Sequence, residues 1–228
     1  KEGLTNPKKG EEPVTVCSFG DAAITEGEVA EAFQMAALKK LPILYLVQDN
    51  EWDISAHASE MRAVDATHYA KGFGLKTYTI DGTDFTKSYE IIQHAFKEIR
   101  EKRTPILIHA KVPLLNHHTS GVRMEWYRDD LEEARSRDPF PKLKVELLNN
   151  GFTESDLVEI EKEATKTVHS DYQKALKAED PNPEDLFSHD YAPTPILEEK
   201  GDRAPKNKEA TVMVDSALFA IKEIMAKH

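Results

Sequence analysis

The sequence is short of the features that mark several large classes of protein. It has one cysteine, Cys17, in 228 residues. No disulfide framework can form within the chain, which fits a reducing compartment such as the cytoplasm. The longest apolar stretch, LPILYLV at 41–47, falls far below the roughly 20 residues of a membrane-spanning helix. The opening KEGLTNPKKG lacks the apolar centre of a signal peptide. Positive charge is in the minority: 30 Lys and Arg against 41 Asp and Glu give a formal net charge of −11. A general nucleic-acid binder needs a basic footprint to displace counterions, and an anionic membrane surface makes the same demand. Neither nucleic acid nor membrane is therefore an expected partner. His57, His68, His94, His109 and the remaining histidines have no zinc-ligand spacing, so a surface or core role is the default. A start at Lys1 instead of Met is expected of a processed or truncated product.

What is present suffices for a folded core. Hydrophobic residues make up 39% and aromatic residues 8%, against wholesale disorder. The length predicts one full domain with an appendage, or two small ones.

The apolar run PVTVCSF (13–19) reads as a strand buried on both faces, with Cys17 as core filler. Thr25 and Glu28 form a T-x-x-E capping box, which predicts a helix from about Glu26 with Val29, Phe33, Ala36 and Ala37 on one face. ILYLVQ (43–48) is the second strand, and the strand–helix–strand order predicts a parallel βαβ unit. The alternation continues. A helix within 58–74, a strand at 76–80, a helix over 84–103 and a strand at 105–112 follow in turn. The expected fold class is α/β, a parallel sheet with helices on both faces, followed by a helical C-terminal arm. A polar loop spans 116–130. Expected divisions are an α/β domain at 1–130, a helical arm at 131–178, a Pro-rich linker at 179–210 and an amphipathic helix in 211–228.

In open parallel sheets, ligands sit just past the carboxyl ends of the strands. Gly20-Asp21-Ala22-Ala23 follows the first strand, Gln48-Asp49-Asn50 the second and His117-His118 the fourth. Small residues beside a helix start leave backbone N–H groups open to a phosphate. Asp21 adds a carboxylate, and Asn50, 29 positions later, adds a neutral amide oxygen. Such hard oxygen ligands suit Mg²⁺ bound with substrate phosphates. An ordinary βα turn with an Asn turn former would have the same letters.

The stretch GDAAITEGEVAEAFQMAALKKLPILYLVQDNEWDIS (20–55) resembles the thiamine-diphosphate motif, most closely that of the α subunit of the 2-oxoacid dehydrogenase decarboxylating component. The resemblance puts metal ligands at Asp21, at Asn50 and at the carbonyl of Trp52. It puts cofactor contacts at Gly20, Ala22, Ala23 and Gln48. The motif's third residue is Ala22 here instead of glycine, a small change for contacts made through backbone N–H. HHTSGVRMEWYRDD (117–130) is similar to the loop of branched-chain 2-oxoacid dehydrogenases, with the family's cofactor-contacting, catalytic histidine at His118. Thr119 falls where relatives carry a phosphorylated serine, and its phosphorylation is not expected. The similarity continues through DPFPKLKVELLNNGF (138–152) and DPNPEDLFSHDY (180–191), while 211–228 resembles the opening helix of the β subunit.

The family likeness implies thiamine diphosphate and Mg as cofactors, oxidative decarboxylation of a branched-chain 2-oxoacid or pyruvate, and acyl transfer to lipoamide. It implies as partners a β-type segment or subunit, a lipoyl-bearing acyltransferase component and further copies in an oligomer. The activating glutamate would belong to the β part, and the substrate-side and further diphosphate residues of α would precede Lys1, so this chain by itself is expected to be inactive without the remaining α and β segments. Two other readings stay open on the residues: a non-catalytic α/β remnant, and another magnesium–phosphate α/β protein such as a phosphotransfer domain.

Overall fold

The computed structural model describes residues 10–118, 123–188 and 212–227. Its contacts divide into two units, one up to Val168 and one from His169. The elements are β1 (Thr15–Gly20), α1 (Gly27–Lys39), β2 (Ile43–Asp49), β3 (Trp52–Asp53), β4 (Ala56–His57), α2 (Ala58–Met61), α3 (Ala66–Gly72), β5 (Lys76–Asp81), α4 (Phe85–Lys102), β6 (Ile106–Lys111), α5 (Leu131–Ser136), α6 (Pro139–Asn149), α7 (Glu154–Lys177) and α8 (Met213–Lys227).

Four strands form one parallel sheet in the order β1-β2-β6-β5. Gly20 stands beside Gln48, and Asp49 beside Lys111, so three carboxyl ends lie side by side. The fold class is α/β as expected, because a parallel sheet needs crossover helices and these cover both of its faces. Alternation along the strands sorts the core. Tyr45, Val47 and Leu107 face α1 and α3, packing on Phe33, Ala36, Ala66 and Ala70. Leu44, Ile106 and Ile108 face the other way, onto Ala95 and Ile99 of α4. Each large side chain buried in these layers contributes about 2 kcal/mol of transfer free energy.

Several local readings need correction. β1 is an edge strand, and Cys17 is exposed instead of buried. The capping box is absent. Thr25 lies in a 3-10 turn (Ala23–Thr25) and its hydroxyl donates to the Ala22 carbonyl, while α1 starts at Gly27 without a side-chain cap. The segment 58–74 holds two helices. Asp65 interrupts it and caps α3, its carboxylate accepting from the His68 N–H at 2.8 Å. The second helix ends in glycine as expected: the next residues turn through Gly74 at φ +80°, a conformation that favours glycine.

The polar loop contains a short 3-10 turn, Met124–Trp126. Helices α5, α6 and α7 occupy the predicted helical arm. In the second unit, α8 forms within the predicted stretch, with Val214, Leu218, Ile221 and Met225 exposed. Thr119 and most of the Pro-rich segment lie outside the described residues.

Candidate functional site

Strand direction brings Gly20, Asp21, Gln48 and Asn50 to one end of the sheet. Asp21 is 3% exposed, and its Oδ1 accepts from the Asn50 N–H at 3.3 Å across 29 positions of sequence. Ala22 and Ala23 are half-buried beside it. Around Gly20 the space is open: a Cβ there would meet nothing within 4 Å. The backbone donors beside Asp21 belong to the 3-10 turn, because the α-helix starts six positions later, at Gly27. Gln48 is exposed at the end of β2.

After Asn50 the chain turns sharply. Glu51 and Ile54 both take positive φ, +66° and +54°, which costs a non-glycine residue roughly 1 kcal/mol or more. Side chains over-determine the first of these turns. Asp49 Oδ1 accepts from the Glu51 N–H at 3.0 Å, and Asn50 Oδ1 accepts from the Trp52 N–H at 2.9 Å.

Trp52 is then pinned from several sides. Its indole N–H donates to Asp130 at 3.3 Å, and the Arg128 guanidinium lies 5.2 Å from its ring centre. Arg128 also donates twice to Asp130 and once to the Leu114 carbonyl, closing the base of the loop that carries the histidines. Asn50, Trp52, Leu114 and Arg128 line a common cavity of about 340 Å³. His118 is exposed on that loop and is not among the residues lining the cavity. His117 Nδ1 accepts from the Met124 N–H at 3.1 Å. The stem of the loop therefore reaches the site, and His118 stands four residues past Leu114 on the same loop. A roomier, open hollow between α6 and α7, lined by Phe152 and Ile160, has acidic neighbours and no strand-end geometry.

Two residues of the site, Arg62 and His109, were given no site role from the sequence. Arg62, just past α2, donates through Nη2 to Asp49 Oδ1 at 3.2 Å and makes an ion pair with Asp21 Oδ2 at 2.8 Å. His109, fully buried on β6, bonds Asp49 Oδ2 through Nε2 at 2.6 Å. Burial and then the charge of Asp49 push the Asp21 carboxyl up to about 6, against the pull of Arg62. Burial also works to raise Asp49, but hydrogen bonds from His109 and Arg62 outweigh it and hold that carboxyl well below its ordinary value. An ionised Asp49 only accepts, so His109 Nε2 is the donor. Two buried atoms of this group, Arg62 Nη1 and His109 Nδ1, have no hydrogen-bond partner among the described residues. A signal was there in principle: a histidine inside the otherwise apolar run ILIHA must be paired if that strand is buried on both faces.

The donor chemistry fits a hard cation. Among the described residues no cluster of three or more His, Cys, Asp or Glu side chains suits a metal. An ion would have to draw on one carboxylate and neutral oxygens. Asp21, the Asn50 amide and the Trp52 carbonyl are such a set, and a cation there would relieve the burial that raises Asp21.

The family model described as the dehydrogenase E1 component matches residues 3–184. The pyruvate dehydrogenase E1 component subunit alpha of Rickettsia bellii is 31% identical over 180 residues, covering 76% of this chain and 54% of that protein. The corresponding subunit of Porphyra purpurea is 31% identical over 186 residues, 80% of this chain and 54% of its own. The 3-methyl-2-oxobutanoate dehydrogenase subunit alpha of Mycobacterium tuberculosis (strain H37Rv) is 32% identical over 186 residues, 80% of this chain and 51% of its own. The chain spans about half the length of these relatives. With the family model running across the sheet, the strand-end site and the helical arm, the chain belongs to the dehydrogenase E1 component family.

Proposed function

We propose that this chain holds the diphosphate and the metal of thiamine diphosphate in a 2-oxoacid dehydrogenase. One observation carries the reading: Asp21 and Asn50 meet by a hydrogen bond at the ends of neighbouring parallel strands, beside open backbone at Gly20. Asp21, the Asn50 amide oxygen and the Trp52 carbonyl would hold Mg²⁺. Gly20, Ala22, Ala23 and Gln48 would border the diphosphate. Thiamine diphosphate, when bound, supplies the electron sink for loss of CO₂ from the 2-oxoacid. His118, on the loop whose stem Arg128 and Asp130 fix, would donate to a phosphate or line the reacting end.

The names of the relatives, pyruvate and 3-methyl-2-oxobutanoate dehydrogenases, support a 2-oxoacid as substrate. The likeness of the 117–130 loop favours a branched-chain one. A β-type segment or subunit would complete the active site, and a lipoyl-bearing acyltransferase would accept the acyl group. The exposed apolar face of α8 is consistent with association into an oligomer, and the scarcity of cysteine with a cytoplasmic setting.

The test is a thermal-stability titration with thiamine diphosphate and Mg²⁺ together. The wild-type melting temperature should rise, and Asp21→Ala should abolish the rise. An unchanged response in Asp21→Ala would remove the metal assignment, and no response in the wild type would remove the cofactor. Decarboxylation should be undetectable with this chain alone and appear only when the remaining α and β segments are supplied.

A further inference from the structure

Arg62 occupies a position the cofactor motif does not account for. Its side chain is 7% exposed, and one nitrogen, Nη2, bridges two buried carboxylates. We propose that Arg62 is a positioning residue for the cation: by gripping Asp21 Oδ2 and tying it to Asp49, it sets the carboxylate so that Oδ1 is left for the metal. This inference rests on the metal reading of Asp21 and Asn50 given above.

The carboxylate of Asp21 is held at both ends. Arg62 takes Oδ2 at 2.8 Å, and the Asn50 N–H takes one lone pair of Oδ1 at 3.3 Å. A second lone pair remains on Oδ1. Arg62 is itself anchored by Asp49, and Asp49 by His109 Nε2 at 2.6 Å. The chain His109–Asp49–Arg62–Asp21 thus runs from the buried face of β6 to the first motif residue. Outer partners of this kind fix ligand orientation, and losing them typically costs about 10–100-fold in metal affinity.

An opposing effect must be weighed. A guanidinium beside a divalent cation repels it. Asp49 also pairs with the Nη2 of Arg62, at 3.2 Å, and offsets that charge. The orientation effect then decides the sign.

The experiment measures Mn²⁺ affinity by electron paramagnetic resonance, with thiamine diphosphate saturating. The informative variant is D49N/R62Q, which removes one charge of each sign and so deletes the bridge without changing the net charge of the pocket. Mn²⁺ affinity should fall by about 10–100-fold. R62K, whose ammonium can still sit between two carboxylates, should stay within about threefold of wild type. Should the double variant not fold, R62Q carries the test, with a loss of affinity again expected. Affinity unchanged or raised in these variants would overturn the proposal and leave Arg62 as a mere counterion or a competitor of the metal. D21N separates the two ideas: if it binds Mn²⁺ as wild type does, the metal reading fails; if it loses Mn²⁺ while D49N/R62Q does not, only the role of Arg62 fails.

Discussion

Glu98 on α4 and Asp21 after β1 are both buried acids in the same sheet unit, 6% and 3% exposed, yet their surroundings treat them in opposite ways. Glu98 is saturated. Its carboxylate accepts from Lys76 at 2.6 Å, Tyr78 at 2.9 Å and Lys102 at 2.8 Å. Burial alone would raise it, but these donors win and hold it down to about 2. Asp21 shares one Arg62 nitrogen with Asp49 and is pushed up to about 6. One network is complete as it stands; the other is short of positive charge and leaves polar atoms unpaired among the described residues. A carboxyl displaced upward at a strand end points to a ligand, whereas one displaced downward by its own chain's lysines points to stability.

The contrast can be broken by mutation. The largest effect should come from Asp49→Ala, which strands the buried His109 and leaves Arg62 with one carboxylate instead of two. We expect a loss of about 3–5 kcal/mol in urea unfolding, and a loss near zero would mean that this cluster is open to water.

Asp21→Asn should go the other way when no metal is added. The carboxyl is raised in the fold, so its contribution is favourable below its unfolded value of 3.8 and is lost as pH rises through about 6. Removing the charge should stabilise the metal-free protein by about 1–3 kcal/mol at pH 8, with the gain gone below pH about 4. A destabilised Asp21→Asn at pH 8 would reverse the comparison.

Glu98→Gln should cost stability instead. Glu98 is lowered from 4.5 to about 2, so its contribution is present above 4.5 and lost as pH falls through about 2. Lys76 and Lys102 are 44% and 63% exposed, which screens the interaction. A loss of about 1–2 kcal/mol at neutral pH is expected after that discount, shrinking toward pH 2. The smallest effect belongs to Thr25→Ala, which should change stability by less than about 0.5 kcal/mol, because Thr25 caps no helix. A loss near 1 kcal/mol would restore its role as a cap.

The strands and the meeting of Asp21 with Asn50 were legible because local alternation and parallel topology determine them. The edge position of β1 was not, since strand order is a long-range property, and so Cys17 was misplaced in the core. Thr25 matched a capping pattern whose geometry a preceding 3-10 turn removes. Arg62 was hidden for a different reason. It follows a four-residue helix in a stretch read as containing a single helix, and its two partners come from the ends of different strands. The importance of Asp49 depended on Arg62 and on His109, 60 positions away, so no window of sequence contained the group.

The last turn of β2 has a consequence for how this segment tolerates change. Asp49 borders one hollow with Arg62 and His109, and Asn50 borders another with Trp52 and Arg128. Successive residues of an extended chain point to opposite sides. Deleting or inserting a single residue between Ile43 and Asn50 would exchange the two sides, turning the amide toward the histidine and the acid toward the outer hollow. That stretch should therefore accept almost no alteration of length.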